Sequence, residues 1–173
     1  MKQLFFLGFL VISLIFAKDD FIYDTRKEVV VYTGPIKETQ RSPIQDVIDK
    51  ASEGSIIKLK AGVYKGNIVI TKPISIIGVE EGVILDGLGV GSVITVKSSY
   101  VTLKNLTIQN SGERADILDA AININGDTTT GALYQCEVSH CRILDSLLGI
   151  NLEIVNNSLI ENNYITSKNY PLG

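Results

Sequence analysis

The sequence Ile68-Val-Ile70 returns along the chain as Ile94-Thr-Val96, Ile122-Asn-Ile124 and Ile150-Asn-Leu152. In an extended strand the outer two residues of each triplet lie on one face and the middle residue lies on the other. The middle residue is polar in three of these four triplets, as expected for a position in contact with solvent. The triplets therefore predict strands that stack in one wall and bury the same positions.

Two further series of triplets follow the same rule. The second series is Ile74-Ser-Ile76, Val101-Thr-Leu103, Cys136-Glu-Val138 and Ser158-Leu-Ile160. The third series is Val83-Ile-Leu85, Leu106-Thr-Ile108, Cys141-Arg-Ile143 and Asn163-Tyr-Ile165. Three strands return in the same order at the interval of solenoid repeats, about 20 to 50 residues. The sequence therefore predicts an all-β fold, a right-handed parallel β-helix with three walls and about five coils over residues 56–170.

A sandwich of antiparallel hairpins is the alternative all-β fold. Hairpins favour Asn-Gly or Asp-Gly turns between neighbouring strands. Asp86-Gly87 and Gly126-Asp127 come closest to that pattern, and neither lies between two symmetric strands. The turn chemistry therefore favours the β-helix.

The first residues read as a targeting segment. Lys2 precedes an apolar run over residues 4–17, and the charged Lys18-Asp19-Asp20 follows. This pattern predicts a secretory signal peptide over residues 1–17, cut after Ala17, and export to the periplasm. The run is shorter than the roughly 20 residues of a comfortable bilayer span, so an uncleaved anchor is the less favoured alternative. We expect no membrane span after cleavage.

Residues 18–41 read as a leader with strand character at Val29-Val-Val-Tyr32, and residues 42–173 as the β-helix. A helix near residues 43–53 is expected to cover the first coil. Ser42 is a fitting N-cap, Gln45 completes a capping box, and Gly54 supplies a left-handed stop. Pro43 opens the helix, and its apolar stripe is Ile44, Val47, Ile48 and Ala51.

The last residues of the sequence resemble the start of another coil. Leu148-Gly149 leads into the strand at Ile150, and Pro171-Leu172-Gly173 has the character of an equivalent lead-in. We therefore expect the β-helix to be truncated at its C-terminal end and to belong to a longer solenoid.

The charge balance argues against nucleic acid as a partner. Sixteen basic and nineteen acidic side chains give a net charge of −3, without a basic stripe interleaved with aromatic residues. Nucleic-acid binding usually requires such a stripe.

Cys136, His140 and Cys141 form a cluster of soft metal ligands. Thiolate and imidazole are the donors that copper and zinc prefer, so a metal site is one interpretation. The triplets favour a second interpretation, in which both thiols point into the core and pack as small hydrophobic groups. In this interpretation His140 lies at a corner between two walls. A disulfide between Cys136 and Cys141 is the third alternative in an oxidising compartment.

Acidic residues raise the question of a sugar-active enzyme, which needs two carboxylates in one groove. Solvated loop charge is the favoured interpretation, because no two of the carboxylates stack coil on coil. The candidates are Asp116, Asp119, Asp127, Glu137 and Asp145, with Arg114 and Arg142 as partners for a substrate carboxylate.

Four segments together resemble the start of the NosD family of periplasmic β-helix proteins. They are Ser42-Pro-Ile-Gln-Asp-Val-Ile48, Gly54-Ser-Ile-Ile-Lys-Leu-Lys-Ala-Gly-Val-Tyr-Lys-Gly-Asn-Ile-Val-Ile-Thr-Lys-Pro-Ile-Ser-Ile-Ile-Gly78, Val83-Ile-Leu-Asp-Gly87 and Val101-Thr-Leu-Lys-Asn-Leu-Thr-Ile-Gln-Asn-Ser-Gly112. The resemblance spans residues 42–173. The same style of motif occurs across carbohydrate-binding and sugar-hydrolase β-helices.

The resemblance implies an accessory protein, and it places no catalytic residue on this segment because the matching stretch consists of scaffold motifs. Family members act with an inner-membrane ABC transporter and support assembly of the copper–sulfide centre of nitrous-oxide reductase. No cofactor is expected in this segment. Copper is expected only in connection with the family's role in assembling the copper–sulfide centre. The alternatives are a polysaccharide-active β-helix (lyase, hydrolase or epimerase) and an adhesin or carbohydrate-binding module.

Overall fold

Parallel strands from successive coils stack into three walls in the structure, a computed structural model that describes residues 21–24, 29–32 and 42–168. All three predicted series of triplets pair as expected, and the parallel β-helix is confirmed. Four complete coils and the first two strands of a fifth lie between Ile56 and Ser167.

The first wall contains the first series of triplets. Ile94 pairs with Ile68 on one side and with Ile122 on the other, and Ile122 pairs with Ile150. Ile94 and Ile122 are fully buried. The strands of this wall are β5 (Ile68–Ile70), β8 (Ile94–Val96), β11 (Ala120–Asn125) and β15 (Leu148–Glu153).

The second wall begins in the leader. The predicted strand at Val29–Tyr32 is present and pairs in parallel with the first strand of the solenoid, so the leader extends this wall by one strand. A further leader strand pairs with it in antiparallel orientation. The strands are β1 (Phe21–Asp24), β2 (Val29–Tyr32), β3 (Ile56–Leu59), β6 (Ser75–Gly78), β9 (Thr102–Lys104), β13 (Glu137–Ser139) and β17 (Leu159–Glu161).

The third wall contains the third series. Leu85, Ile108 and Ile143 form one buried inward column. Its strands are β4 (Gly62–Lys65), β7 (Val83–Asp86), β10 (Thr107–Gln109), β14 (Arg142–Ser146) and β18 (Tyr164–Ser167); the short pair β12 (Leu133–Tyr134) and β16 (Val155–Asn156) precedes the second wall in the last two coils.

The chain turns between walls at single residues with left-handed backbone. Asn105, His140 and Asn162 occupy the same corner between the second and third walls in successive coils, with φ between 53° and 55°. Asn and His are enriched in this conformation, which costs most L-residues about 1 kcal/mol or more. His140 therefore lies at a turn, as predicted. Tyr100, Gln135 and Asn157 are the left-handed residues before the second wall, and Asn110 and Asp145 are those at the end of the third wall.

The predicted helix covers the first coil, but its predicted capping box is wrong. Helix α1 (Pro43–Lys50) buries Ile44, Val47 and Ile48, and the Ser42 hydroxyl makes no cap hydrogen bond. The Gln45 amide instead accepts from the Val69 N–H at 2.7 Å and donates to the Val69 carbonyl at 3.0 Å. Val69 lies on β5, the edge strand of its wall, so Gln45 satisfies backbone groups that have no strand partner there.

The predicted glycine stop is also wrong. Helix α1 ends at Lys50, earlier than predicted, and Lys72 Nζ donates to the carbonyls of Asp49 and Ala51 at 3.1 and 2.8 Å. A lysine at this end satisfies the last free carbonyls of the helix. Gly54 is left-handed (φ 82°), but it lies in the following turn.

Two predictions concern residues outside the described part of the chain, namely the signal peptide at residues 1–17 and the lead-in at residues 171–173. Among the described residues, none of the helices has the length and apolarity needed to cross a bilayer.

The inward column of the first wall predicts opposite outcomes for two neighbouring substitutions. Ile122→Asp places a charge in the core without a partner and should lower the free energy of unfolding by several kcal/mol. Asn123→Asp is the matched control, because Asn123 points outward and accepts a hydrogen bond from Asn151 Nδ2 at 3.1 Å. Chemical denaturation of both variants measures the difference; equal stabilities would contradict the column.

Candidate functional site

The two predicted ligand thiols both lie in the core. Cys136 occupies the inward column of Val101 at the start of the second wall, and Cys141 the column of Leu106 at the start of the third. Both are buried and free, so the structure contains no disulfide between them. The Cys141 thiol lies 3.3 Å from the Ser139 carbonyl oxygen and 3.7 Å from that of Leu103, as weak hydrogen bonds.

His140 lies between the two cysteines in sequence but on the outside of the solenoid. Its left-handed backbone turns the chain at the corner, and its side chain is exposed. The structure therefore separates the imidazole from the thiols. In the described part of the chain, no three His, Cys, Asp or Glu residues form a group suited to a metal ion.

Burial makes both thiols harder to ionise. Desolvation raises the pKa of Cys136, and it raises the pKa of Cys141 to about 11. Metal ligation and nucleophilic attack both require the thiolate. At neutral pH these side chains therefore behave as small core residues.

Two of the candidate carboxylates stabilise the connection between β10 and β11. Asp116 forms an exposed ion pair with Arg114 at 2.7 Å. Asp119 is buried and accepts a hydrogen bond from the Arg114 backbone N–H at 2.9 Å, while its own N–H donates to the Arg114 carbonyl at 3.1 Å. These bonds pin both ends of a loop that contains a short 3-10 helix, Ala115–Ile117.

The other candidate carboxylates also have structural partners. Asp127 accepts from the Thr129 and Thr130 N–H groups at 2.6 and 3.3 Å, and these bonds lower its pKa. Glu137 accepts from the Ser139 hydroxyl at 2.6 Å. Asp145 lies 3.8 Å from Lys168 Nζ. The structure thus distributes these side chains among turns and wall surfaces.

A groove of about 590 Å³ runs along the corner between the second and third walls. It exists because the connection from β6 to β7 is a four-residue turn, 79–82, whereas later coils pass this corner in two residues. The turn is anchored to the preceding coil: the Val79 N–H donates to the Leu59 carbonyl at 3.0 Å, and Glu80 Oε1 accepts from the Ala61 N–H at 2.9 Å. The longer turn therefore forms a fixed side wall.

The groove brings together two residues that the sequence had marked separately, His140 and Arg142. Both are exposed, and among the described residues neither side chain takes part in a hydrogen bond or a salt bridge. Arg142 lies over the ring of Tyr164, 5.4 Å from its centroid. The polar lining comprises Glu80, Glu81, Asn105, Thr107, His140 and Arg142.

A second exposed feature lies at the corner between the third and first walls, which we call the corner patch (Leu88, Val90, Ile117 and Leu118). Their exposed fractions are 46%, 68%, 52% and 42%. The two loops that carry them are neighbours, since the Gly112 N–H donates to the Gly91 carbonyl at 2.8 Å. Several exposed aliphatic groups on neighbouring loops are typical of protein contact surfaces.

The two leucines of the corner patch are held in strained backbone. Leu88 and Leu118 have φ of 60° and 55°. Asp86 stabilises the first of them by accepting the Leu88 N–H at 2.9 Å, and it also binds the side chains of Gln109 and Asn110 in the next coil. Strain of this kind persists where the surroundings fix it, and it is common at functional sites.

Sequence reasoning missed the groove and the corner patch because both are formed by connections between the repeated triplets, and the triplets alone do not predict the shape of a connection. The signal that could have found them is a difference in connection length between coils. The corner at residues 79–82 is longer than its counterparts at 105–106 and 140–141, and the loop at 111–119 is longer than the other connections into the first wall. Such departures from the repeat show where the surface differs from the scaffold.

Comparison with known proteins gives one partial likeness that bears on function. The chain is 40% identical over 77 residues to a Pseudomonas aeruginosa protein named probable ABC transporter binding protein NosD. The match covers 44% of this chain and 18% of that protein, so the chain spans less than a fifth of the length of the relative. No family model and no solved structure matches the chain.

The raised pKa of Cys141 predicts a loss of stability at alkaline pH. Its folded pKa lies above the ordinary value of 9.0, so its contribution is complete below pH 9 and is lost as the pH rises towards 11. The loss should reach about 2 kcal/mol by pH 11 relative to Cys141→Ala, which lacks the group. Denaturant unfolding of both proteins between pH 8 and 11 measures the difference, and parallel curves would contradict it.

The separation of the thiols from His140 predicts weak metal binding. Titration of the purified chain with Cu⁺ or Zn²⁺ should show no one-to-one complex that depends on all three side chains, because both thiols would have to ionise in the core. The control is the triple variant Cys136→Ala, His140→Asn, Cys141→Ala, which should bind metal equally weakly. A tight complex that the triple variant loses would restore the metal site.

Proposed function

We propose that this protein is a periplasmic accessory protein that docks protein partners during assembly of the copper–sulfide centre of nitrous-oxide reductase, together with an ABC transporter. The likeness to the protein named NosD supports the role and the transporter partner. The apolar run at residues 4–17 supports export. Sequence resemblance over residues 42–173 supports the nitrous-oxide reductase connection.

The corner patch is the observation that carries the docking role. Burial of apolar surface is the dominant favourable contribution to most protein association. Leu88 and Leu118 are presented on loops whose backbones are fixed by Asp86 and Asp119. A contact that is already ordered loses little conformational entropy when it binds, which favours affinity.

Charge around the patch indicates what kind of surface it meets. Glu113 and Asp116 flank Ile117 and Leu118, and Arg114 is already paired with Asp116. Lys168 lies 3.7 Å from Glu113. Both carboxylates of the rim are therefore paired with a cation, and the rim carries little net charge. Such a rim has no excess positive charge to attract an anionic lipid surface, so the patch favours an apolar cleft on a protein partner.

A deletion of the gene in its host tests the role. The reductase should be exported but should lack its catalytic copper–sulfide centre, as measured by metal content and by the absorption spectrum of the purified enzyme. The wild-type gene should restore the centre. A reductase with normal activity in the deletion strain would overturn the proposal, and so would release of unsaturated sugars from uronate polymers by the purified protein.

Substitutions in the corner patch separate docking from folding. The double variant Leu88→Asn, Leu118→Asn removes two apolar contacts, while Asn tolerates left-handed backbone better than Leu. It should therefore unfold at the same temperature as the wild type or a higher one, yet fail to restore the reductase.

The matched control for this variant is Tyr100→Asn. Tyr100 is 61% exposed and left-handed, and it lies at a corner away from the patch. This variant should restore the reductase fully. Full restoration by the leucine double variant would rule out the corner patch as the docking surface, although the accessory role would stand.

A further inference from the structure

The groove between the second and third walls is a second surface, with chemistry different from that of the corner patch. Its side wall, the turn at 79–82, is hydrogen-bonded to the preceding coil through Val79, Glu80 and Gly82. Its floor consists of residues on paired strands and at a left-handed corner. Both sides are therefore rigid before any ligand arrives, and a preformed concave site loses little entropy on binding.

Hydrogen-bond acceptors and donors that have no partner among the described residues line this groove. Glu81 contributes an exposed carboxylate on the turn, while the exposed His140 and Arg142 contribute an imidazole and a guanidinium on the floor. Among the described residues, no carboxylate lies within salt-bridge distance of the Arg142 guanidinium. A guanidinium in that state is suited to a bidentate contact with a carboxylate of a ligand.

The floor continues along the solenoid axis as two parallel rows. Thr107, Arg142 and Tyr164 are register partners on the third wall, and Asn105, His140 and Asn162 follow one another at the adjacent corner. Neighbouring strands lie about 4.8 Å apart, so each row presents one polar or aromatic side chain per coil. A ligand with polar groups at regular intervals along an extended chain matches this arrangement.

The available groups favour a saccharide over a peptide. Extended peptides usually bind to sheets by adding a strand at a free edge. Strands β7, β10 and β14 are interior strands of their sheet, so their backbone groups are already paired on both sides. Side chains must make the contacts here, and sugar hydroxyls, which donate and accept at the same atom, match facing carboxylate, amide, imidazole and guanidinium groups.

We propose that this groove binds an acidic saccharide, with Arg142 holding a ring carboxylate and with His140, Glu81 and Asn105 Oδ1 binding hydroxyl groups. The Asn105 Nδ2 donates to the Gly78 carbonyl at 3.4 Å, which leaves its Oδ1 for the ligand. The volume of about 590 Å³ falls in the range of small-molecule sites, roughly 300 to 1,000 Å³. Binding is non-covalent. The inference goes beyond the docking role and does not depend on it, because the corner patch lies on the opposite end of the third wall's strands.

Calorimetric titration of the purified chain tests the proposal, with trigalacturonate as the acidic probe and its methyl ester as the neutral one. The acid should bind one to one, and the ester should bind at least about tenfold more weakly because it lacks the charge for Arg142. An absence of binding, or equal affinities for acid and ester, would overturn the proposal.

Neighbouring coils provide substitutions that keep the fold. Arg142→Thr places the residue of the preceding coil, Thr107, at the same position, and His140→Asn places the residue found at this corner in both adjacent coils. The first should weaken trigalacturonate binding at least about tenfold, and the second a few-fold. Circular dichroism and thermal unfolding establish that both variants remain folded.

Two controls locate the site. Arg114→Thr removes an exposed arginine outside the groove and should leave trigalacturonate affinity unchanged, as should the corner-patch double variant. Unchanged affinity in Arg142→Thr, or an equal loss in Arg114→Thr, would place binding elsewhere or make it a general charge effect. Tighter binding of hexaglutamate than of trigalacturonate, lost in Arg142→Thr, would replace the saccharide with an acidic peptide.

Discussion

The pairing of each strand with the strands above and below it constrains the rest of this molecule. Backbone hydrogen bonds of a parallel sheet set a common spacing, and the inward side chain of one coil therefore rests directly on that of the next. Ile68, Ile94 and Ile122 obey this constraint in the first wall, and Leu85, Ile108 and Ile143 obey it in the third. Apolar side chains of similar size in each column fix which face of each strand is inward. Because side chains alternate along a strand, this also fixes which side chains point outward.

The same constraint explains why cysteine occupies two of these positions. Cys136 and Cys141 stand where the preceding coil places Val101 and Leu106, and a thiol is small and apolar enough to pack beneath them. His140 differs because its backbone is left-handed, so its side chain leaves the column and reaches the surface. A sequence cluster of three soft ligands is therefore divided by the geometry of the turn.

Strand positions could be predicted from sequence because their period of two is local. The capping helix was also visible in its apolar stripe. Its last residue was misplaced because Lys72, which is distant in sequence but lies in the coil that the helix covers, satisfies the final carbonyls. Gln45 was misassigned for the same reason: its partner, the backbone of Val69, is adjacent in space and not in sequence. The groove and the corner patch depend on turns that are longer than those of the other coils. The repeated triplets predict the strands but not the shape of these longer turns.

The single-residue corners have a consequence for how such a chain can change over evolutionary time. An insertion at a corner lengthens a surface loop without altering the phase of the strands, whereas an insertion inside a strand exchanges its two faces. The turn at 79–82 and the loop at 111–119 are longer than the corresponding connections of other coils, and the strands on either side of each keep their register. New surface features can therefore be acquired one coil at a time, while the packing of the inward columns stays the same.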